Sequence, residues 1–65
     1  MENFKAMSTD ELKARYETLR WLCARSRVYG PADELHAAAS EELTARLGEA
    51  AFYAFDKSVV YKLTH

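Results

Sequence analysis

Few residues in this chain have side chains suited to catalysis, and their spacing argues against it. The single thiol, Cys23, falls on one helical stripe with Leu12, Tyr16, Leu19 and Leu22. A cysteine in that setting behaves as a small hydrophobe. Arg20 and Arg27 lie close along the chain and would lower its pKa, whereas burial would raise it. An inert core thiol is the expectation. One cysteine forms no internal disulfide, and with His36 and His65 it makes no metal-ligand spacing. His36 falls in the first turn of an acidic helix and is expected to be a surface residue. Glu41 and Glu42 are adjacent, so a helix points them to different sides, unlike an acid/base pair. The sequence contains no Ser/His/Asp set and no Gly-rich phosphate loop. No catalytic, cofactor-binding or metal residue is assigned, and no enzyme or small-molecule substrate is expected.

The chemistry that remains is electrostatic. Nine basic and ten acidic residues give a formal net charge of −1, but the near-zero total hides a split. Between Lys13 and Arg27 the chain carries Lys13, Arg15, Arg20, Arg25 and Arg27 against Glu17 alone, a net +4. Between Asp33 and Glu49 it carries Asp33, Glu34, Glu41, Glu42 and Glu49 against Arg46 alone, a net −4. One reading is a pair of helices that attract each other and keep solvated outer faces. The other is a surface with separate acidic and basic patches for different partners. A DNA-reading helix-turn-helix would start its recognition helix near Pro31, and that helix would meet phosphate with like charge. The basic segment could touch phosphates without reading bases, so any DNA contact should be weak, non-specific and salt-sensitive.

These charges must be positioned by helices. Residues 1–7 form a lead in which Phe4 packs or frays. Ser8-Thr9-Asp10-Glu11 reads as a capping box, a Ser at the N-cap with Glu three residues later. Leu12, Tyr16, Leu19, Leu22 and Cys23 follow at helical period, so a helix is predicted over 8–28. Gly30-Pro31 punctuates the chain, Gly as a helix stop and Pro at the first turn of a new helix. Leu35, Ala39, Leu43, Leu47 and Ala50 or Ala51 then predict one long helix over 31–54. Gly48 inside it costs about 1 kcal/mol relative to alanine, and either admits a close neighbour or marks a break. Asp56 or Ser58 would cap a short final helix over 57–64. Val59-Val60 would also suit a strand, but a lone strand here has nothing to pair with. Phe52, Tyr53, Phe55 and Tyr61 are most simply the core plug of the bundle, and otherwise an exposed docking patch. The fold expected is all-α, a small bundle of three to four helices. Sixty-five residues make one domain of marginal stability that leans on a partner chain. No apolar run is long enough for a membrane span or a signal-peptide core, and a cytoplasmic location is expected.

The order of these features resembles the small Hha/YmoA/Cnu modulators of bacterial gene expression. Glu17-Thr18-Leu19-Arg20 is similar to the family's Asp-Thr-Leu-Glu-Arg helix opening. Ala32-Asp33-Glu34-Leu35 resembles its Ser-Asp-Asn-Glu-Leu entry to a long helix, at the same separation. Ser40-Glu41-Glu42-Leu43-Thr44-Ala45-Arg46-Leu47 stands where the family has Ala-Asp-His-Arg-Leu-Ala-Glu-Leu. The segment Asp56-Lys57-Ser58-Val59-Val60-Tyr61-Lys62-Leu63 looks like its C-terminal stretch, with Tyr61 in place of a Trp and without an Ile-Pro. The resemblance implies a non-enzymatic modulator, nucleoid-associated, that binds the dimerisation domain of an H-NS-like protein through acidic side chains. Carried over by position, those acids are Glu17, Asp33, Glu34, Glu41 and Glu42. Lys13, Arg15, Arg20, Arg25 and Arg27 would form the opposite patch, open to DNA phosphates. The alternative is a helical protein-protein module with no nucleic-acid role: a homodimer, an antitoxin-like or phage-type inhibitor, or a small subunit of a complex.

Overall fold

The computed structural model describes residues 3–25 and 30–64. A single-turn 3-10 helix, Phe4–Ala6, leads into α1 (Thr9–Arg25), α2 (Pro31–Leu47) and α3 (Glu49–Thr64). Among the described residues there is no strand, and the fold is an all-α bundle. The Ser8 hydroxyl accepts a bond of 3.1 Å from the Glu11 N–H, and the Ser8 carbonyl accepts one of 2.9 Å from Leu12. Ser8 is thus the N-cap that the capping sequence predicts. The expected end of α1 at 26–28 lies outside the described residues.

The long helix expected over 31–54 is instead two helices. Gly48 adopts φ 87°, the left-handed region open to glycine at little cost. Its N–H closes α2 on the Thr44 carbonyl at 2.8 Å, and its own carbonyl opens α3 by accepting from Phe52 at 2.9 Å. One residue therefore ends one helix and starts the next. The short helix expected over 57–64 is the second half of α3. Packing explains the break. An unbroken 31–54 helix would run about 36 Å, and its Phe52 would pass beyond the start of α1, beside which Arg46 already lies. Turning at Gly48 brings Phe52, Phe55, Val59 and Leu63 back onto the core.

That core is small. Phe4, Leu12, Tyr16, Leu19, Ala39, Leu43 and Val59 are buried, with Met7, Leu35, Leu47, Phe52, Phe55 and Leu63 packed around them. The α1–α2 interface is the most extensive, and α1 meets α3 least. The predicted stripe on α1 is buried as far as Leu19. Leu22 is 39% exposed, and Cys23 is half-buried rather than a core residue. Both lie in the last turns of α1. The aromatic tail divides: Phe52 and Phe55 pack inward, while Tyr53 and Tyr61 face outward at 62% exposure each.

Candidate interaction surface

The acidic residues do not form one face, because the fold uses three of them internally. Glu17 pairs with Lys62 on α3 at 3.1 Å. The Asp33 carboxylate accepts from the Gly30 N–H at 2.8 Å and caps the start of α2. Burial first, then the Asp33 carboxylate, pushes the Cys23 thiol pKa up. Glu42 takes the Arg46 guanidinium at 3.0 Å, one turn along α2. Glu34 and Glu41 remain. They are exposed, seven residues apart, and so lie two turns apart on one side of α2. Ala37, Ala38 and Ala45 share that exposed side. Among the described residues, neither glutamate is in an ion pair.

Beside this acidic strip is an open groove of about 470 Å³ between the 3-10 helix and α2. Asn3, Phe4 and Lys5 form one wall; Ala38, Glu41, Glu42 and Ala45 form the other. The groove exists because Arg46 ties the lead segment down. Its guanidinium donates to the carbonyls of Met7 (2.8 Å), Phe4 (3.0 Å) and Lys5 (3.1 Å) and reaches the Thr9 hydroxyl at 3.4 Å. As the single cation among the acids of 33–49, Arg46 was the available signal for such a role.

The basic residues are dispersed around α1. Lys13 stands 5.5 Å from the Phe55 ring centroid, a cation-π contact with α3. Arg20 pairs with Asp56 of α3 at 3.6 Å. Arg25 lies over the exposed Trp21 ring at 4.3 Å. Arg15 is half-buried and, by helical period, about 160° around α1 from Lys13. Arg27 lies outside the described residues. Among the described residues, the ion pairs that join helices run between α1 and α3. The facing sides of α1 and α2 are instead occupied by Leu12, Leu19, Ala39 and Leu43.

A polar cluster at the junction of the three helices had no counterpart in the sequence reading. The Tyr16 hydroxyl donates a short hydrogen bond to the Asp56 carboxylate. Burial, with Asp56 beside it, pushes the Tyr16 pKa well above its ordinary value. Asp56, expected as a helix cap, falls mid-helix in α3 because that helix starts seven residues earlier. His36, expected at the surface, is half-buried with its ring centroid 5.0 Å from that of Tyr16. Its Nε2 is buried and has no hydrogen-bond partner.

Burial holds the His36 pKa below its usual value, and Arg20 adds to the effect, while Asp56 and Asp33 oppose it. The folded chain therefore prefers the neutral ring, and the unfolded chain takes up the proton first as pH falls. His36 stabilisation is complete above about 6.5, the ordinary histidine value, and declines as pH drops below it. Urea-unfolding midpoints should fall between pH 7.5 and 5.5, and His36→Asn should flatten that part of the profile. A variant that retains the full slope would rule out His36 as the source. Comparison with protein families, curated proteins and solved structures finds no match to this chain.

Proposed function

We propose that the chain is a small non-enzymatic modulator that binds a basic helical segment of a partner protein on the outer face of α2. The observation that carries this reading is the strip of Glu34 and Glu41, exposed two turns apart on an alanine surface beside the groove. Small side chains let a partner helix approach closely, and the two carboxylates select one that carries Lys or Arg at matching spacing. In this reading the partner is the dimerisation domain of an H-NS-like nucleoid protein, and binding tunes gene expression. That identity is supported by the sequence resemblance to the Hha/YmoA/Cnu family. Asp33, Glu17 and Glu42 act mainly as structural acids, so the binding acids narrow to Glu34 and Glu41. DNA contact is secondary. Cations on several sides of α1 suit weak, salt-sensitive attraction to phosphates, not groove reading.

The test is titration calorimetry of the intact chain against an H-NS-like dimerisation domain. Glu34→Lys with Glu41→Lys should weaken binding by roughly a hundredfold or more, since each change puts like charge against the partner. The circular dichroism spectrum should stay helical, because both positions are exposed. Unchanged affinity would sink the assignment of this face.

A further inference from the structure

The outer face of α3 has the opposite character to that of α2. Tyr53 and Tyr61 are each 62% exposed. Lys57 is exposed midway between them and stands 5.2 Å from the Tyr53 ring centroid. At 1.5 Å per residue the two tyrosines are about 12 Å apart along the axis, and Glu34 and Glu41 on α2 about 10.5 Å apart. Protruding rings and a cation occupy one face; carboxylates framing low alanines occupy the other. Large apolar rings left exposed by so small a core mark an interaction surface.

We propose that a second copy of this chain covers these faces, α3 of each copy lying on α2 of the other, with Lys57 of one copy facing Glu34 and Glu41 of the next. The tyrosine rings would settle onto Ala37, Ala38 and Ala45. Gly48 alone links α2 to α3, so both faces belong to one helical hairpin, and pairing them reciprocally in a closed dimer takes a two-fold axis. A standard interface buries ~800 Å² per partner, about a sixth of this chain's 4689 Å² surface. Two helix faces supply somewhat less, which places the dimer in the weak, reversible class. The contact uses the α2 face assigned above to the partner protein, so self-association and partner binding compete for it. The dimer itself does not depend on that partner.

Sedimentation equilibrium of the intact chain over a roughly hundredfold dilution series tests this. A dimer that dissociates on dilution is expected. Lys57→Glu and Glu41→Lys should each weaken it by about tenfold or more through like-charge opposition. The double variant carrying both changes should recover part of it, because positions 57 and 41 again meet with opposite charge while Glu34 stays acidic. Both positions are exposed, and unchanged helical circular dichroism would verify folding. A monomer at every concentration overturns the proposal, as does a dimer indifferent to either single change, or a double variant that fails to recover. Lys57→Glu leaves the α2 face intact, so loss of the dimer with retained binding of the partner domain separates this proposal from the function proposed above.

Discussion

Tyr16→Ala is expected to abolish cooperative folding at 25 °C. Tyr16 is 2% exposed and is among the largest fully buried side chains. Its ring meets Phe52 edge-on at 5.5 Å and lies 5.6 Å from Phe55 and 5.0 Å from His36, so it joins all three helices. Truncating a buried aromatic to alanine costs about 3–5 kcal/mol. A 65-residue domain has only about 3–10 kcal/mol of stability in total. The substitution also strips the Asp56 carboxylate of its hydroxyl donor and leaves it with Arg20 alone at 3.6 Å. Tyr16→Phe separates the two effects. It keeps the ring and removes the bond to a charged acceptor, for a loss of about 1.5–3 kcal/mol. Urea titrations followed by circular dichroism should show no cooperative transition for Tyr16→Ala and a shifted but cooperative one for Tyr16→Phe. A wild-type midpoint for Tyr16→Ala would show that the three-helix junction is not the stabilising centre.

Arg46→Met should detach the lead segment. Three backbone carbonyls of residues 4–7 converge on this guanidinium, and a helix as short as Phe4–Ala6 does not hold itself by its own backbone bonds. Hydrogen bonds to a charged donor contribute about 1.5–3 kcal/mol each where buried. The Arg46 side chain is 21% exposed, so water takes back part of that and the total stays near a few kcal/mol. Phe4, 7% exposed, is held in the core by the same anchor. Amide hydrogen exchange at Met7, whose N–H bonds the Phe4 carbonyl at 3.3 Å, should speed up sharply in Arg46→Met. Amides in the middle of α1 and α2 should change far less. Arg46→Lys should restore little, because an ammonium lacks the planar fork that spans several carbonyls. Equal exchange in variant and wild type would assign the ordering of residues 4–7 to Phe4 alone. The groove beside Glu41 depends on the same anchor, so a looser lead segment also alters the proposed partner site.

The positions where the sequence reading and the structure part company share a cause. The start of α2 was legible, because Pro31 and the carboxylate of Asp33 act within a single turn. The break at Gly48 was not. Leu47 and Ala51 keep helical phase across it, so periodicity allows one helix or two. The outcome rests on whether Phe52, Phe55 and Val59 can reach α1, which is a long-range matter. In a short final helix Asp56 reads as a cap, whereas its bond to Tyr16 spans forty residues and lies beyond any local pattern. His36 departs from its expected surface position for a similar reason. Its acidic neighbours in sequence suggest a surface, while its place one turn before Ala39 puts it beside Tyr16. Leu22 and Cys23 show the converse. Their phase is right for the core, but they lie in the last turns of α1 and stay partly exposed.

Local rules thus determined the helical class, the Ser8 cap, the Gly30-Pro31 boundary and the buried set Leu12, Tyr16, Leu19, Ala39 and Leu43. Caps, turns and amphipathic period act over one to four residues, and those distances are written in the chain. The segment charges of +4 and −4 were equally plain. Tertiary structure decided which of those charges are taken up by another helix. Glu17 and Arg20 are drawn across to Lys62 and Asp56 of α3, while Glu42 and Asp33 bond locally, within one turn, to Arg46 and Gly30. Glu34 and Glu41 are left on open alanine surface. The physical reason is that an ion pair depends on a few ångströms of separation, and packing, not order along the chain, sets that separation.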